Sequence, residues 1–141
     1  MPIRNAWSAD CSRIKDLLDQ LGYEYPVETI NIRLDKLLKS GSDEVFVYTD
    51  DNIVVGFITL HYSIQLAFEG DFCEIGYFVV DKKVRSKGIG KELEEFAIQK
   101  AQDKGCSAIN VFSRKERHDA HRFYERQGYH EITKFFTKDM K

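Results

Sequence analysis

Arg85, Lys87 and Lys91 are interleaved with Gly88 and Gly90 in the stretch Phe78-Val79-Val80-Asp81-Lys82-Lys83-Val84-Arg85-Ser86-Lys87-Gly88-Ile89-Gly90-Lys91. Cations set among glycines, after a β-rich apolar run and before an amphipathic helical pattern, are suited to holding a pyrophosphate. Backbone N–H groups at a helix start carry partial positive charge. Glycine lets an anion come close to that backbone, and the side-chain cations add full charges around it. The spacing is Arg-x-x-Gly-x-Gly, distinct from the Gly-x-Gly-x-x-Gly of dinucleotide folds and from the Gly-x-x-x-x-Gly-Lys-Ser/Thr of nucleotide hydrolases. Just upstream, Glu74 lies between Cys73 and Ile75 in Phe72-Cys73-Glu74-Ile75-Gly76-Tyr77. A carboxylate there is costly to bury unpaired, which makes it more than ordinary surface charge.

Alternating strands and helices must position these groups. A short strand is predicted around Ile3 to Ala6. Ile14, Leu17, Leu18 and Leu21 then fall at i, i+3, i+4 and i+7, one helical face that stops at Gly22, with Ser8 or Asp10 as its cap. Val27, Ile30, Leu34, Leu37 and Leu38 repeat the pattern, with Pro26 in the first turn and Ser40-Gly41-Ser42 at the end. Val45 to Tyr48 and Ile53 to Tyr62 read as strands joined through Asp50-Asp51-Asn52, an antiparallel hairpin. A third long strand covers Phe72 to Val80. Ile89, Leu93, Phe96, Ala97 and Ala101 mark a helix ending before Gly105, followed by a strand near Ala108 to Phe112. A last helix, Asp119 to Arg126, and a last strand, Glu131 to Thr137, complete the expectation. No linker long enough to divide the chain interrupts it, so residues 1–141 read as one domain.

That order, together with Arg-x-x-Gly-x-Gly and the downstream Ala120-His121-Arg122-Phe123-Tyr124-Glu125, resembles the GNAT superfamily of acetyl-CoA-dependent N-acetyltransferases across essentially the whole chain. The resemblance implies an α+β, three-layer α/β/α fold: a mixed, mostly antiparallel central sheet flanked by about four helices. It also implies that the strand before the phosphate loop carries a bulge and splays from its far neighbour, leaving a slot that the pantetheine arm fills as an added strand would. On that basis Phe78, Val79 and Val80 supply backbone contacts to acetyl-CoA, and Arg85, Ser86, Lys87, Gly88, Ile89, Gly90 and Lys91 hold its pyrophosphate. Family members place a catalytic glutamate where Glu74 stands. They place a tyrosine facing the coenzyme sulfur where Ala120-x-x-Phe123-Tyr124-Glu125-x-x-Gly128-Tyr129 puts Tyr124. An alkylammonium with pKa about 10.4 must lose a proton before it can attack, the task for Glu74. A phenol with pKa about 10 is protonated at neutral pH and can donate to a departing thiolate, the task for Tyr124. Arg117 replaces an asparagine that in many relatives touches the coenzyme arm, and is expected to reach a phosphate.

For the acceptor, Arg117-His118-Asp119-Ala120-His121-Arg122-Phe123-Tyr124, Leu60-His61-Tyr62 and Phe135-Phe136-Thr137-Lys138 resemble the aminoalkylphosphonate N-acetyltransferases within the superfamily. Tyr25, Arg33, His61 and Tyr77 are the expected substrate contacts. The resulting expectation is acetyl transfer to a primary amine of a small molecule, an aminoalkylphosphonate being the leading example. Acetylation of a protein lysine or N-terminus is the enzyme alternative, and a coenzyme-binding module without turnover is the alternative from another class. His118 and His121 at i, i+3 lack a further ligand, so no metal site is expected.

Composition sets the outer bounds. The 141 residues are 43% hydrophobic and 13% aromatic, enough for a sizeable core. A net charge of −2 and pI near 6.1 lack the basic excess of a nucleic-acid binder. Cys11, Cys73 and Cys106 are odd in number and show no Cys-x-x-Cys spacing, arguing against a disulfide framework or a zinc site. With no apolar leader or membrane-length run, a cytoplasmic location is expected, with neither nucleic acid nor membrane as partner. The β-rich Ile132 to Thr137 suits pairing across a homodimer.

Overall fold

The computed structural model describes residues 2–85 and 87–141, so Ser86 of the predicted phosphate loop lies outside the described residues. The chain forms two units, Met1–Asn110 and Val111–Lys141.

In the first unit, β1 (Ile3–Asn5), β2 (Asp43–Asp50), β3 (Ile53–Ser63) and β4 (Phe72–Val80) are sequential antiparallel neighbours, and β5 (Ala108–Val111) follows on the far side of β4. The β2–β3 hairpin turns where expected: Asp51 and Asn52 have φ of 53° and 64°, the left-handed pair a tight hairpin requires, and Asp and Asn tolerate it best. α1 (Cys11–Gln20) and α2 (Val27–Lys39) precede the hairpin, and α3 (Ile89–Asp103) connects β4 to β5.

Side-chain alternation assigns the two faces of the sheet. Val45 and Val47 of β2, with Phe57 of β3 and Val79 of β4, share a buried core with Ile14, Leu17 and Leu18 of α1 and Leu34 of α2. The intervening residues point the other way: Phe46 stacks edge-on against Phe96 of α3 at 4.8 Å, and Ile89 and Leu93 of α3 close over Gly56. Two helices on one face and one on the other give the three layers, and the α+β fold expected from the sequence holds.

The entry to α1 differs in one detail. Asp10 caps the preceding 3-10 turn (Ser8–Asp10) instead of α1, accepting from the Trp7 backbone N–H at 2.7 Å, while Arg4 makes a two-pronged ion pair with it at 2.8 and 2.9 Å. Burial alone raises the Asp10 carboxyl, but the bonds from Arg4 and the Trp7 N–H, aided by the Arg4 charge, hold it below the ordinary value. A carboxyl with a lowered folded pKa stabilises the fold above its unfolded pKa of about 3.9 and loses that contribution as pH falls through the folded value. Asp10→Ala is therefore expected to lower unfolding free energy by about 2 kcal/mol near neutral pH, by orphaning Arg4 and the Trp7 N–H. Urea melts should show the gap to wild type closing as pH approaches about 2.

In the second unit, α4 (His118–Arg126) is the regular element beyond the end of β5. The strand expected over Glu131 to Thr137 is not formed: residues 129–141 carry no strand among the described residues. Its β-rich composition lacks the two-residue alternation a half-buried strand needs, since Ile132, Phe135 and Phe136 are spaced three and one apart. Phe135 packs on Phe112 at 4.9 Å instead. The segment expected to pair across a dimer is thus irregular in this chain.

Candidate active site

β4 contains the bulge that the resemblance implied. Ile58 pairs with Phe78 and Leu60 pairs with Ile75, so Thr59 of β3 faces two residues, Gly76 and Tyr77. Thr59 holds the extra residue in place, its Oγ1 accepting from the Tyr77 backbone N–H at 2.8 Å. Only glycine fits beside it, because a Cβ on residue 76 would stand 2.6 Å from that Oγ1. The other edge of β4 starts against β5, where the Ser107 N–H donates to the Asp71 carbonyl at 2.9 Å. β5 is the shorter partner, four residues against nine in β4.

Past the bulge the chain leaves Val80 through a 3-10 turn, Lys82–Val84, and enters α3 at Gly88. Gly88 has φ of +80°, a left-handed conformation that side chains resist. The first N–H groups of α3 follow it, and these lack intrahelical partners by geometry. The predicted loop residues divide by role. Arg85, Lys87, Gly88 and Lys91 are exposed, whereas Ile89 and Val79 bury their side chains. Arg85 Nε donates to the Val80 carbonyl at 3.3 Å, and Lys91 sits 3.9 Å from Glu95.

The α1/α2 face of the sheet carries a cavity of about 600 Å³. Tyr25, Arg33 and Tyr77, three of the four predicted acceptor contacts, line it with Tyr23, Lys36 and Asp43. Tyr23 meets Tyr77 edge to face at 5.7 Å, so the helix-connecting tip and the bulge meet at one rim. The fourth predicted contact, His61, joins through Asp43: its Nδ1 lies 2.9 Å from Asp43 Oδ1. Burial raises the Asp43 carboxyl, but bonds from Ser40, His61 and Ser42 and the His61 charge bring it below its ordinary value, so it is an anion at neutral pH.

Glu74 lies directly opposite His61, which lies directly opposite Asp43. The three side chains form a row across β2, β3 and β4 on the face away from buried Cys73 and Ile75. Ser63 Oγ donates to Glu74 Oε1 at 2.8 Å, so this half-buried carboxylate is oriented and partly satisfied. The sequence reading missed Asp43, Thr59 and Lys36. Asp43 follows a Ser-Gly-Ser turn and carries no motif, and only strand register could have placed it beside His61.

Tyr124 and Arg117 belong to the second unit. Tyr124 lies on α4 with its ring against Phe123 and Tyr129, each at 5.6 Å. Burial pushes its phenol above the ordinary tyrosine value, partly opposed by the positive charge of Arg117.

A bulged strand running into a left-handed glycine at a basic helix start, beside a cavity with a carboxylate row, defines a chain of the acetyltransferase (GNAT) family. The family profile matches residues 11–129, and the chain belongs to it. Among curated proteins it is similar to the aminoalkylphosphonate N-acetyltransferase of Salmonella typhimurium, 36% identical over 85 residues, which are 60% of this chain and 55% of that protein. The match thus spans little more than half of that relative. Among solved structures it resembles a putative acetyltransferase from Agrobacterium tumefaciens (TM-score 0.89, 20% identity, 99% of this chain and all of that one). It also resembles a protein described as a transcriptional regulator from Bacillus halodurans (TM-score 0.85, 26% identity, 96% and 98% coverage).

Proposed function

We propose that this chain is an acetyl-CoA-dependent N-acetyltransferase acting on a primary amine of a small molecule that also carries an anionic group, an aminoalkylphosphonate being the leading example. Family membership supports the acetyl transfer. The observation that carries the acceptor class is the charge pattern of the cavity: Arg33 and Lys36 face it with no ion-pair partner among the described residues, whereas its carboxylate Asp43 is already held by Ser40, Ser42 and His61. An acceptor anion compensates the two cations. The Salmonella relative, by its name, acts on such a compound.

In this reading Phe78, Val79 and Val80 offer main-chain groups to the pantetheine arm. Arg85, Ser86, Lys87, Gly88, Ile89, Gly90 and Lys91 surround the pyrophosphate, with Arg117 as a further phosphate contact. Glu74 takes the acceptor ammonium proton, directly or through water. The freed nitrogen lone pair attacks the thioester carbonyl carbon, whose oxygen is polarised by backbone near Val79. The tetrahedral adduct then collapses with cleavage of the C–S bond, the sulfur takes the Tyr124 proton to leave as free thiol, and the proton shed by the new amide nitrogen restores the phenol. A single domain in the reducing cytoplasm is the setting, consistent with three cysteines that are free in the structure.

The test compares an aminoalkylphosphonate with the alkylamine of the same length lacking the phosphonate. Wild type is expected to favour the phosphonate in kcat/KM, and Arg33→Ala to shrink that preference about tenfold. Equal use of both amines by wild type would remove the anionic-acceptor claim, and turnover confined to a lysine peptide would move the acceptor to protein.

A further inference from the structure

The turn that starts the phosphate loop is pinned from beneath by a buried carboxylate. Asp81 is 6% exposed, and its oxygens collect bonds from three directions. Oδ1 accepts from the Lys83 backbone N–H at 3.1 Å and from Gln20 Nε2 at 3.2 Å. Oδ2 accepts from the Arg13 guanidinium at 3.0 Å. The same partners reach further: Gln20 Oε1 accepts from the Lys82 backbone N–H at 3.0 Å, and Arg13 Nε donates to the Val54 carbonyl at 2.9 Å. Beside these, the Asp81 N–H donates to the Val55 carbonyl at 2.8 Å. One acid therefore ties the start of the loop to α1 and to β3.

The charge arrangement gives this knot a purpose. Lys82, Lys83, Arg85 and Lys87 crowd a short exposed stretch in which Asp81 is the one acid before Glu92. Left alone, that acid would attract a loop cation inward. Arg13, from a helix outside the loop, neutralises it instead. Lys82, Lys83 and Lys87 make no ion pair among the described residues, so they stay turned to solvent and to any anion there.

We propose that Asp81, clamped by Arg13 and Gln20, is a positioning residue for coenzyme binding: it fixes the base of the phosphate loop so that the loop cations and the start of α3 meet the diphosphate in a preorganised geometry. The inference rests on the acetyl-CoA reading above but needs no turnover to test. Preorganisation lowers the ordering cost of binding, so loosening the knot weakens the diphosphate contacts selectively. Asp81→Asn keeps the acceptor for the Lys83 N–H and removes the charge that holds Arg13. Gln20→Ala, at a half-buried site on α1, removes one clamp and leaves the core intact.

Coenzyme A and pantetheine, which lacks the diphosphate, should be titrated into wild type and both variants, with thermal melts alongside. Affinity for coenzyme A is expected to fall about tenfold in each variant, while affinity for pantetheine and the folded state are retained. Unchanged coenzyme affinity in Gln20→Ala and Asp81→Asn would overturn the positioning role and leave the acetyltransferase reading standing. Equal weakening toward both ligands, tracking a lowered melting temperature, would overturn it in favour of a purely structural knot. Wild type that binds no coenzyme A would overturn both inferences together.

Discussion

Tyr124→Phe is expected to lower kcat for acetyl transfer by about 100-fold, with KM for acetyl-CoA nearly unchanged. In the proposed mechanism the phenol proton matters only as the C–S bond breaks and negative charge collects on sulfur, so its loss is felt in the transition state and not in binding. Burial makes the assignment stronger, because a phenol held above its ordinary pKa stays protonated through neutral pH and beyond. Arg117 works the other way, easing formation of the phenolate once the proton has gone. Phenylalanine fills nearly the same volume, so the packing of ring 124 between Phe123 and Tyr129 should survive. Tyr129→Phe is the matched control: it removes a neighbouring hydroxyl on the same unit and should leave kcat near wild type. Steady-state rates for both variants decide the matter, and equal losses from the two substitutions would assign the effect to packing.

Glu74→Gln should produce a loss of similar size near neutral pH, about 100-fold in kcat/KM for the amine, but with a different signature. Glutamine keeps an acceptor for the Ser63 hydroxyl and so preserves the local geometry while losing the proposed base. Without a base, only the fraction of amine that is already neutral can attack. Below the amine pKa of about 10.4 that fraction grows about tenfold per pH unit. The variant rate should therefore climb steeply with pH and approach wild type under alkaline conditions, whereas wild type rises less. A pH–rate profile checks this, and parallel profiles would transfer the proton to another group or to a water chain.

The parts of this protein that were legible in the sequence are those decided by local pattern. β4 was bounded correctly at both ends because Phe72 to Val80 is β-rich and flanked by polar residues. α3 began where Gly88 demanded it, and the Asp51-Asn52 hairpin followed from two residues that tolerate left-handed backbone. Features that depend on register across strands were not legible in the residues themselves, and the bulge was expected only through the family resemblance. The bulge arises because Thr59 faces both Gly76 and Tyr77, and the Asp43–His61–Glu74 row because three strands happen to align. Neither leaves a trace in the spacing of residues along one segment. The Asp81 knot joins residues 68 and 61 positions apart, Arg13 and Gln20, and a lone acid in a basic loop gave no hint of such partners. The opposite error occurred at the C-terminal end. There, aromatic and β-branched composition suggested a strand that the three-and-one spacing of Ile132, Phe135 and Phe136 cannot support.

Acetyl transfer from acetyl-CoA to a small primary amine can be measured by following free-thiol release from acetyl-CoA over a panel of acceptors, with the products identified by mass. The panel should include aminoalkylphosphonates, polyamines, amino acids, aminoglycosides and a lysine peptide. Thiol release matched one-to-one by an N-acetylated small amine is expected, strongest for acceptors carrying an anionic group. Tight coenzyme binding with no thiol release from any acceptor would contradict it and identify the chain as a coenzyme-binding module without turnover.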